Sequence, residues 1–214
     1  MSKRLLIITL LTWGIVGGAN LLASQIETEV MSSLDKDFIA KFEEISIDPV
    51  TQEEVFSSGQ LMFKAGGLMR FEYKEPDDQL IIIGKQKVWI YDRLLNNVTI
   101  ADLAETDITK LLIFFRNTKN LSKEFNSIKT STYFILKPME HQKLLYFKSL
   151  NDKHPLDEIH LAYDVNSKRI EKIGVLGADS SVRIFKFSSF EYPLNIDERD
   201  FVFILPPYVE IIER

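Results

Sequence analysis

A succession of short alternating segments limits the fold more than any other feature of this sequence. Between residues 55 and 102, apolar and polar side chains alternate in five segments, which the turn-forming stretches "KAGG", "EPDD", "GK" and "LLNN" separate. Alternation with a period of two residues is typical of strands, and loops this short join antiparallel neighbours. The five predicted strands are Val55–Phe63, Leu68–Lys74, Leu80–Ile83, Lys87–Asp92 and Asn97–Asp102. This half of the chain is therefore predicted to be an antiparallel meander.

The second half shows the same alternation after an interruption. Its predicted strands are Thr130–Lys137, Lys143–Ser149, Glu158–Tyr163, Arg169–Leu176 and Val182–Phe190, followed by a β ending in "NIDERDFVFILPPYVEII". No segment shows the regular alternation of strands and helices that builds a parallel sheet. The sequence thus predicts a mainly β fold of about ten or eleven antiparallel strands with a few helices.

Two segments are predicted to be helical. Apolar residues recur every four positions at Ile26, Val30, Leu34, Phe38 and Phe42, which indicates an amphipathic helix within residues 25–45. The end of this helix stays open, because Phe38, Ala40 and Phe42 also alternate as in a strand. Residues 103–126 contain five consecutive apolar side chains at 111–115, so one or two short helices there must be buried nearly all round.

The N-terminal segment has the layout of a secretory signal peptide. Lys3 and Arg4 precede an apolar run, and small residues and a polar stretch follow it. We expect residues 1–24 to be removed, with the cleavage bond after Ala19, Ala23 or Ser24, and residues 25–214 to form a single domain. The alternative is an uncleaved anchor helix, which three glycines, an asparagine and two threonines disfavour. Removal of the segment predicts a periplasmic protein.

Composition excludes several classes of function. The chain has 214 residues, 45% of them hydrophobic, enough to bury one core. Its net charge is −5, and loss of Lys3 and Arg4 changes it to −5 − 2 = −7. No block of basic residues offers the electrostatic footprint that a nucleic acid requires. The absence of cysteine excludes disulfides, thiolate metal sites and a lipid-modified cysteine.

No pattern of residues indicates catalysis. Motifs for a serine nucleophile, a zinc protease or a phosphate-binding loop are missing, and the three histidines, at 141, 154 and 160, show no ligand spacing. The carboxylate pairs Asp77–Asp78 and Asp157–Glu158 flank predicted strands and are interpreted as solvated turn residues. We expect no enzymatic activity, no metal and no cofactor.

Three motifs in order resemble the outer-membrane lipoprotein carrier protein family, the LolA-type periplasmic chaperones. The first is "FIAKFEE", similar to the family's first strand but with Glu44 where a glutamine usually stands. The second is "FSSGQLMFKAGGLMRFEYKEPDDQLIIIGKQKVWIYDRLLNNVT", with an Arg-aromatic-x-Tyr strand and a W-x-Y strand. The third is the closing "IDERDFVFILPPYVEII". The family often has a basic residue and a proline where this chain has Ala65 and Gly66, so the contact between barrel and lid is expected to differ.

The resemblance implies an unclosed antiparallel β-barrel with a helical lid over an apolar cavity. It further implies a monomeric carrier that takes acylated lipoproteins from an inner-membrane lipoprotein-releasing ABC transporter and passes them to an outer-membrane receptor. The alternative is the same fold acting as a stationary periplasmic sensor of lipid or lipoprotein, or as an interaction module.

Large apolar side chains are the candidates for the cavity, because flexible and flat groups repack around acyl chains. They are Met62, Met69, Phe71, Tyr73, Trp89, Tyr91, Leu111, Leu112 and Phe115. The competing interpretation is an ordinary packed core, the commoner fate of aromatic residues in strands. Arg70 alternates to the side opposite Met69 and Phe71, so it is predicted to be a surface or partner contact.

Overall fold

In the computed structural model, which describes residues 25–103 and 121–213, twelve strands form one sheet. The first six are β1 (Phe38–Ile47), β2 (Glu54–Lys64), β3 (Leu68–Glu75), β4 (Gln79–Ile83), β5 (Lys87–Asp92) and β6 (Asn97–Asp102). The others are β7 (Phe125–Ile128), β8 (Gln142–Ser149), β9 (Leu156–Asp164), β10 (Ile170–Gly177), β11 (Val182–Glu191) and β12 (Glu210–Glu213).

The sheet is unclosed. Its strand order is β12-β6-β5-β4-β3-β2-β1-β11-β10-β9-β8-β7, so β12 and β7 form its two edges within the described part of the chain. All neighbours pair antiparallel except β12, which runs parallel to β6. The prediction of a mainly β, unclosed fold is confirmed, and the strand count rises from ten or eleven to twelve.

One predicted strand is wrong. Residues 129–139 contain no helix or strand, although Thr130–Lys137 has the composition of one. Instead β7 forms just before them and pairs with β8. The segment crosses the strands rather than pairing with them, and Ser131 and Leu136 are buried against the sheet. Tertiary packing therefore overrides the local preference for extended structure.

The N-terminal helix is shorter than the helix predicted within residues 25–45. Residues 25–32 are helical and are called α1, a 3₁₀ turn follows at Ser33–Asp35, and β1 begins at Phe38. The alternation of Phe38, Ala40 and Phe42 thus belongs to a strand. Another helical turn, Leu121–Glu124, precedes β7. The predicted signal peptide, residues 1–24, and the predicted lid, residues 106–120, lie outside the described residues. No helix in the described ranges is long and apolar enough to cross a membrane.

The two faces of the sheet bury different clusters. The face that carries Phe42, Phe63 and Phe71, called the core face, packs against Val30 of α1 and Leu34. The opposite face, called the outer face, carries Ile82 and other apolar residues of β1–β5 under the C-terminal segment, where Ile196 and Phe201 are buried. Direct partners in antiparallel strands point to the same side, so the strand register assigns each residue to its face.

Candidate functional site

Aromatic side chains from three strands, β1, β3 and β11, meet in the middle of the core face. The ring of Phe42 on β1 lies 5.6 Å from that of Phe71, 4.9 Å from that of Tyr73 and 6.1 Å from that of Phe185, measured between centroids. Phe42 meets Phe71 and Tyr73 edge to face, at interplanar angles of 78°. Such geometry is the favourable one for aromatic pairs. The result is a continuous apolar surface across β3, β2, β1 and β11.

A glycine on β2 makes this aromatic packing feasible. Gly59 is the direct partner of both Phe42 on β1 and Tyr73 on β3. A Cβ atom at Gly59 would lie 2.1 Å from the backbone oxygen of Glu72 and 3.0 Å from the Phe42 ring. Only glycine therefore allows β3 to approach this closely while the Phe42 ring lies over β2.

A buried carboxylate ends the aromatic surface on one side. Glu44 on β1 is 4% exposed, and its Oε2 accepts a hydrogen bond of 2.6 Å from the Tyr73 hydroxyl. Its Oε1 accepts from Ser46 Oγ at 3.0 Å and faces the half-exposed guanidinium of Arg183 at 3.4 Å. Burial, together with the negative charge of Glu44, raises the pKa of Tyr73, so this hydroxyl remains a donor at neutral pH.

The predicted cavity residues divide between the two faces. Met69, Phe71 and Tyr73 lie together on the core face. Met62, Trp89 and Tyr91 belong to the outer-face cluster instead, where Tyr91 packs against Phe203 with ring centroids 5.6 Å apart. The prediction that these six residues line one cavity is therefore corrected, because three of them lie on the opposite face of the sheet. The remaining three candidates, Leu111, Leu112 and Phe115, lie outside the described residues.

The register explains this division. Met62 pairs with Arg70 and not with Met69, and Trp89 pairs with Ile82. Met62, Trp89 and Tyr91 therefore alternate along their strands so that their side chains lie on the outer face. A one-residue difference in register exchanges the two faces of a strand.

Arg70 makes intramolecular contacts with the C-terminal segment. Its Nε donates to Glu72 Oε1 at 2.8 Å, and its Nη1 donates to the Asp200 carbonyl oxygen at 3.3 Å. The prediction that Arg70 lies opposite Met69 and Phe71 agrees with this placement. Its predicted contact with a partner stays a prediction.

The turn between β2 and β3 is fixed by a lysine and an aspartate. Lys64 Nζ lies 3.3 Å from Asp37 Oδ2 and donates to the Ile196 carbonyl oxygen at 2.7 Å. Asp37 also accepts from the backbone N–H groups of Ala65 and Ile196. Burial alone would raise the pKa of Asp37, but these hydrogen bonds and Lys64 outweigh it and lower the pKa. The start of β1, this turn and the C-terminal segment are thereby joined at one point.

Sequence reasoning missed several residues of the core face. Phe63, Phe185 and Phe187 are buried there with Phe42, but they were not among the nine cavity candidates. Their signal was present in the alternation of "VRIFKF" and of the residues before "KAGG". For Glu44, the sequence indicates only that it replaces a glutamine of the family motif. Its burial becomes apparent only from the fold.

A possible set of metal ligands lies outside the core face, but its residues already have protein partners. Oxygen and nitrogen atoms of His141, Asp164 and Glu171 lie within 4.8 Å of one another. Glu171 already accepts from Gln142 at 2.9 Å and contacts Arg169, and Asp164 accepts from the N–H groups of its own turn. These bonds account for the geometry without an ion.

Comparisons with known proteins agree on one family. Residues 36–204 match the family model described as outer membrane lipoprotein carrier protein LolA. An outer-membrane lipoprotein carrier protein of Pseudomonas aeruginosa is 27% identical over 187 residues, with 82% of this chain and 80% of the relative covered. The carrier protein of Francisella tularensis subsp. novicida is 24% identical over 179 residues, with the same coverage of 82% and 80%.

Solved structures show the same fold. A conserved protein of Thermus thermophilus superposes with a TM-score of 0.52 at 15% identity, covering 90% of this chain and 99% of its own. The crystal structure of MucB gives a TM-score of 0.50 at 12% identity, covering 90% of this chain and 66% of that one. Identities this low support the fold alone.

Proposed function

Because the chain belongs to the outer membrane lipoprotein carrier protein LolA family, we propose that it carries lipoproteins by burying their acyl chains against the core face. The observation that carries this proposal is the aromatic surface around Phe42, which ends at the buried carboxylate of Glu44. Both are compatible with an amphiphile whose chains lie on the aromatic residues and whose polar end lies beyond them. This is a binding function that needs no reacting group.

Burial of hydrocarbon is sufficient for affinity. Each buried CH₂ group contributes about 0.8 kcal/mol, so a single chain of about ten buried CH₂ groups gains several kcal/mol after its ordering entropy is subtracted. Met69, which is fully buried on the core face, adds a flexible side chain that adapts to different acyl shapes. The site therefore selects for apolar chains and not for a specific headgroup.

Binding of acyl chains to the core face requires that they replace the apolar side chains that already cover it. Phe71 is 3% exposed and Met69 is fully buried, so the core face is covered without ligand. The described part of that cover includes Val30 of α1 and Leu34. We propose that acyl chains replace such contacts on the same surface, which avoids exposing large apolar side chains to water. The earlier prediction of a lid at residues 106–120 remains part of this proposal.

Direction and location of transport belong to the same proposal. A signal peptide at residues 1–24 would deliver a single domain, 25–214, to the periplasm. There a monomer would receive acylated lipoproteins from an inner-membrane ABC transporter and deliver them to an outer-membrane receptor. Support comes from the family and from the charged, apolar and small-residue succession at the N-terminus.

Uptake of a fluorescent acyl probe tests the core face. Phe71→Glu places a carboxylate on this surface, at a cost of several kcal/mol unless water enters with it. We expect the variant to lose probe uptake. The matched control is Phe56→Glu on the same sheet, where the native ring is 61% exposed, and we expect it to bind normally. Equal uptake by both variants would contradict the proposal.

A second measurement keeps the test valid if Phe71→Glu fails to fold, as circular dichroism will show. The bound probe is displaced from the unaltered protein by a diacylated lipopeptide or by the same peptide without acyl chains. We expect only the acylated form to compete. Competition by the bare peptide would instead favour the interaction module, in which recognition of protein replaces recognition of lipid.

A further inference from the structure

A segment without helix or strand is fixed across the outer face, on the side of the sheet opposite the aromatic surface. Residues 129–139 pass over β9 and β10, where Ser131 Oγ donates to the buried Glu158 at 2.5 Å. Farther along, Leu136 lies so close to β10 that a Cβ atom at Gly174 would be 3.0 Å from its Cγ. The Nζ of Lys172 donates to the carbonyl oxygen of residue 137 at 2.9 Å. Three separate contacts therefore hold the segment in place.

This segment and the neighbouring strands line a partly open pocket of about 380 Å³, called the lysine pocket. Its apolar lining comes from Ile135, Leu136, Pro138, Met139 and Ile184. A volume of this size admits a small polar headgroup with part of an attached chain. Since both the segment and the strands are fixed, the pocket is already formed in the described structure.

Three lysines, Lys137, Lys172 and Lys186, also line the pocket. Lys172 and Lys186 are direct cross-strand partners of β10 and β11. Like charges directly opposite each other destabilise a sheet, unless an anion lies between them. Glu43 compensates Lys186 only in part, at 3.7 Å and mostly exposed. Burial and the charge of Lys186 lower the pKa of Lys172, and the charge of Glu171 opposes this shift without cancelling it.

The segment from residue 125 to residue 139 carries a charge opposite to that of the whole chain. Residues 125–139 contain two lysines and no acid, whereas the chain carries a net charge of −5. Exposed apolar side chains lie beside the lysines: Phe134 is 95% exposed, Met139 57% and Tyr133 45%. Basic residues next to exposed aromatic and apolar residues are typical of surfaces that lie on an anionic membrane. A site for a free phosphate ester would have no use for an exposed phenylalanine.

We propose that residues 133–139, with Lys172 and Lys186, form a docking surface for an anionic phospholipid bilayer, with one phosphate headgroup in the lysine pocket. Charge complementarity selects this occupant, and Phe134 inserts between the neighbouring headgroups. The surface is on the outer face, so it acts whether or not the core face carries lipoproteins. For a carrier, weak docking of this kind would raise its concentration beside a membrane.

Sedimentation with vesicles tests this surface, using the chain without residues 1–24. Vesicles of phosphatidylcholine alone are compared with vesicles that contain phosphatidylglycerol. We expect binding only to the anionic vesicles, and weaker binding as salt is added. A basic residue near such a surface contributes about 1 kcal/mol, or about fivefold in partition. The double variant Lys172→Gln/Lys186→Gln should therefore bind at least about tenfold more weakly, and Phe134→Ser should also weaken binding.

The matched control is Lys74→Gln/Lys87→Gln, which removes the same charge from exposed positions on β3 and β5, three or more strands away from β11. It should bind nearly as the unaltered protein does. Equal losses in the two double variants would overturn the proposal, because the effect would then come from net charge. Displacement by soluble glycerol phosphate at matched ionic strength would overturn it too, in favour of a free phosphate ester. Uptake of the acyl probe by the same variants should remain unchanged, which separates this test from that of the core face.

Discussion

The hydrogen bond between Tyr73 and Glu44 is the most informative single interaction to remove. Tyr73→Phe deletes only the hydroxyl, and the ring keeps its edge-to-face contact with Phe42 at 4.9 Å. The carboxylate it leaves is 4% exposed and retains Ser46 Oγ at 3.0 Å, with Arg183 at 3.4 Å. A hydrogen bond to a charged group contributes about 1.5–3 kcal/mol. Because two partners remain, we expect the lower part of that range, about 1.5–2 kcal/mol of unfolding free energy.

Urea unfolding at pH 7 measures this cost, and a double-mutant cycle assigns it. In the E44Q background the hydroxyl donates to a neutral amide oxygen, for which about 0.5–1.5 kcal/mol is usual, so Tyr73→Phe should cost about 1 kcal/mol less there. Tyr91→Phe is the matched control, since the Tyr91 hydroxyl donates to the neutral Asn96 Oδ1 at 2.9 Å. If Tyr73→Phe costs the same with Glu44 present as in the E44Q background, the charge of Glu44 does not strengthen this hydrogen bond.

Three further predictions concern the sheet, the turn and the cover of the core face. Gly59→Ala should destabilise the protein by several kcal/mol, because its Cβ would lie 2.1 Å from the Glu72 backbone oxygen; a thermal midpoint close to that of the unaltered protein would contradict this. The pKa of Asp37 is lowered on folding, so its contribution to stability is present above its ordinary value of 3.8 and disappears as the pH falls through the lower folded value. The unaltered protein should therefore lose its advantage over Asp37→Asn only in acid, and an advantage independent of pH would argue against the ion pair. When acylated peptide is added, hydrogen exchange should change more in residues 25–32 than in β3; an unchanged α1 would mean that it is not displaced.

The local part of the fold was predictable from the sequence. Strands β2 to β6 agree with their predicted limits to within one residue, because short turns rich in glycine, proline, aspartate and asparagine separate clear alternating segments. The same alternation placed Met69, Phe71 and Tyr73 on one face and Arg70 on the other, as the structure shows.

Relations between segments were not predictable in the same way. Met62 and Trp89 alternate correctly within their own strands, but the face they occupy depends on the register across each turn, which the pattern of one strand does not contain. Residues 130–137 are rich in residues that favour strands, yet they cross the outer face because Ser131 and Leu136 pack on β9 and β10. Contacts between residues distant in sequence decided both outcomes.

Native mass spectrometry of the protein purified from a periplasm together with a lipoprotein shows whether the protein carries lipoproteins by their acyl chains. We expect a complex of one carrier with one acylated lipoprotein, and its loss when the lipoprotein lacks its acylated cysteine. We also expect Phe71→Glu to abolish the complex and Phe56→Glu to retain it. A stable protein complex that forms equally well without acyl chains would contradict the carrier function and would support the sensor.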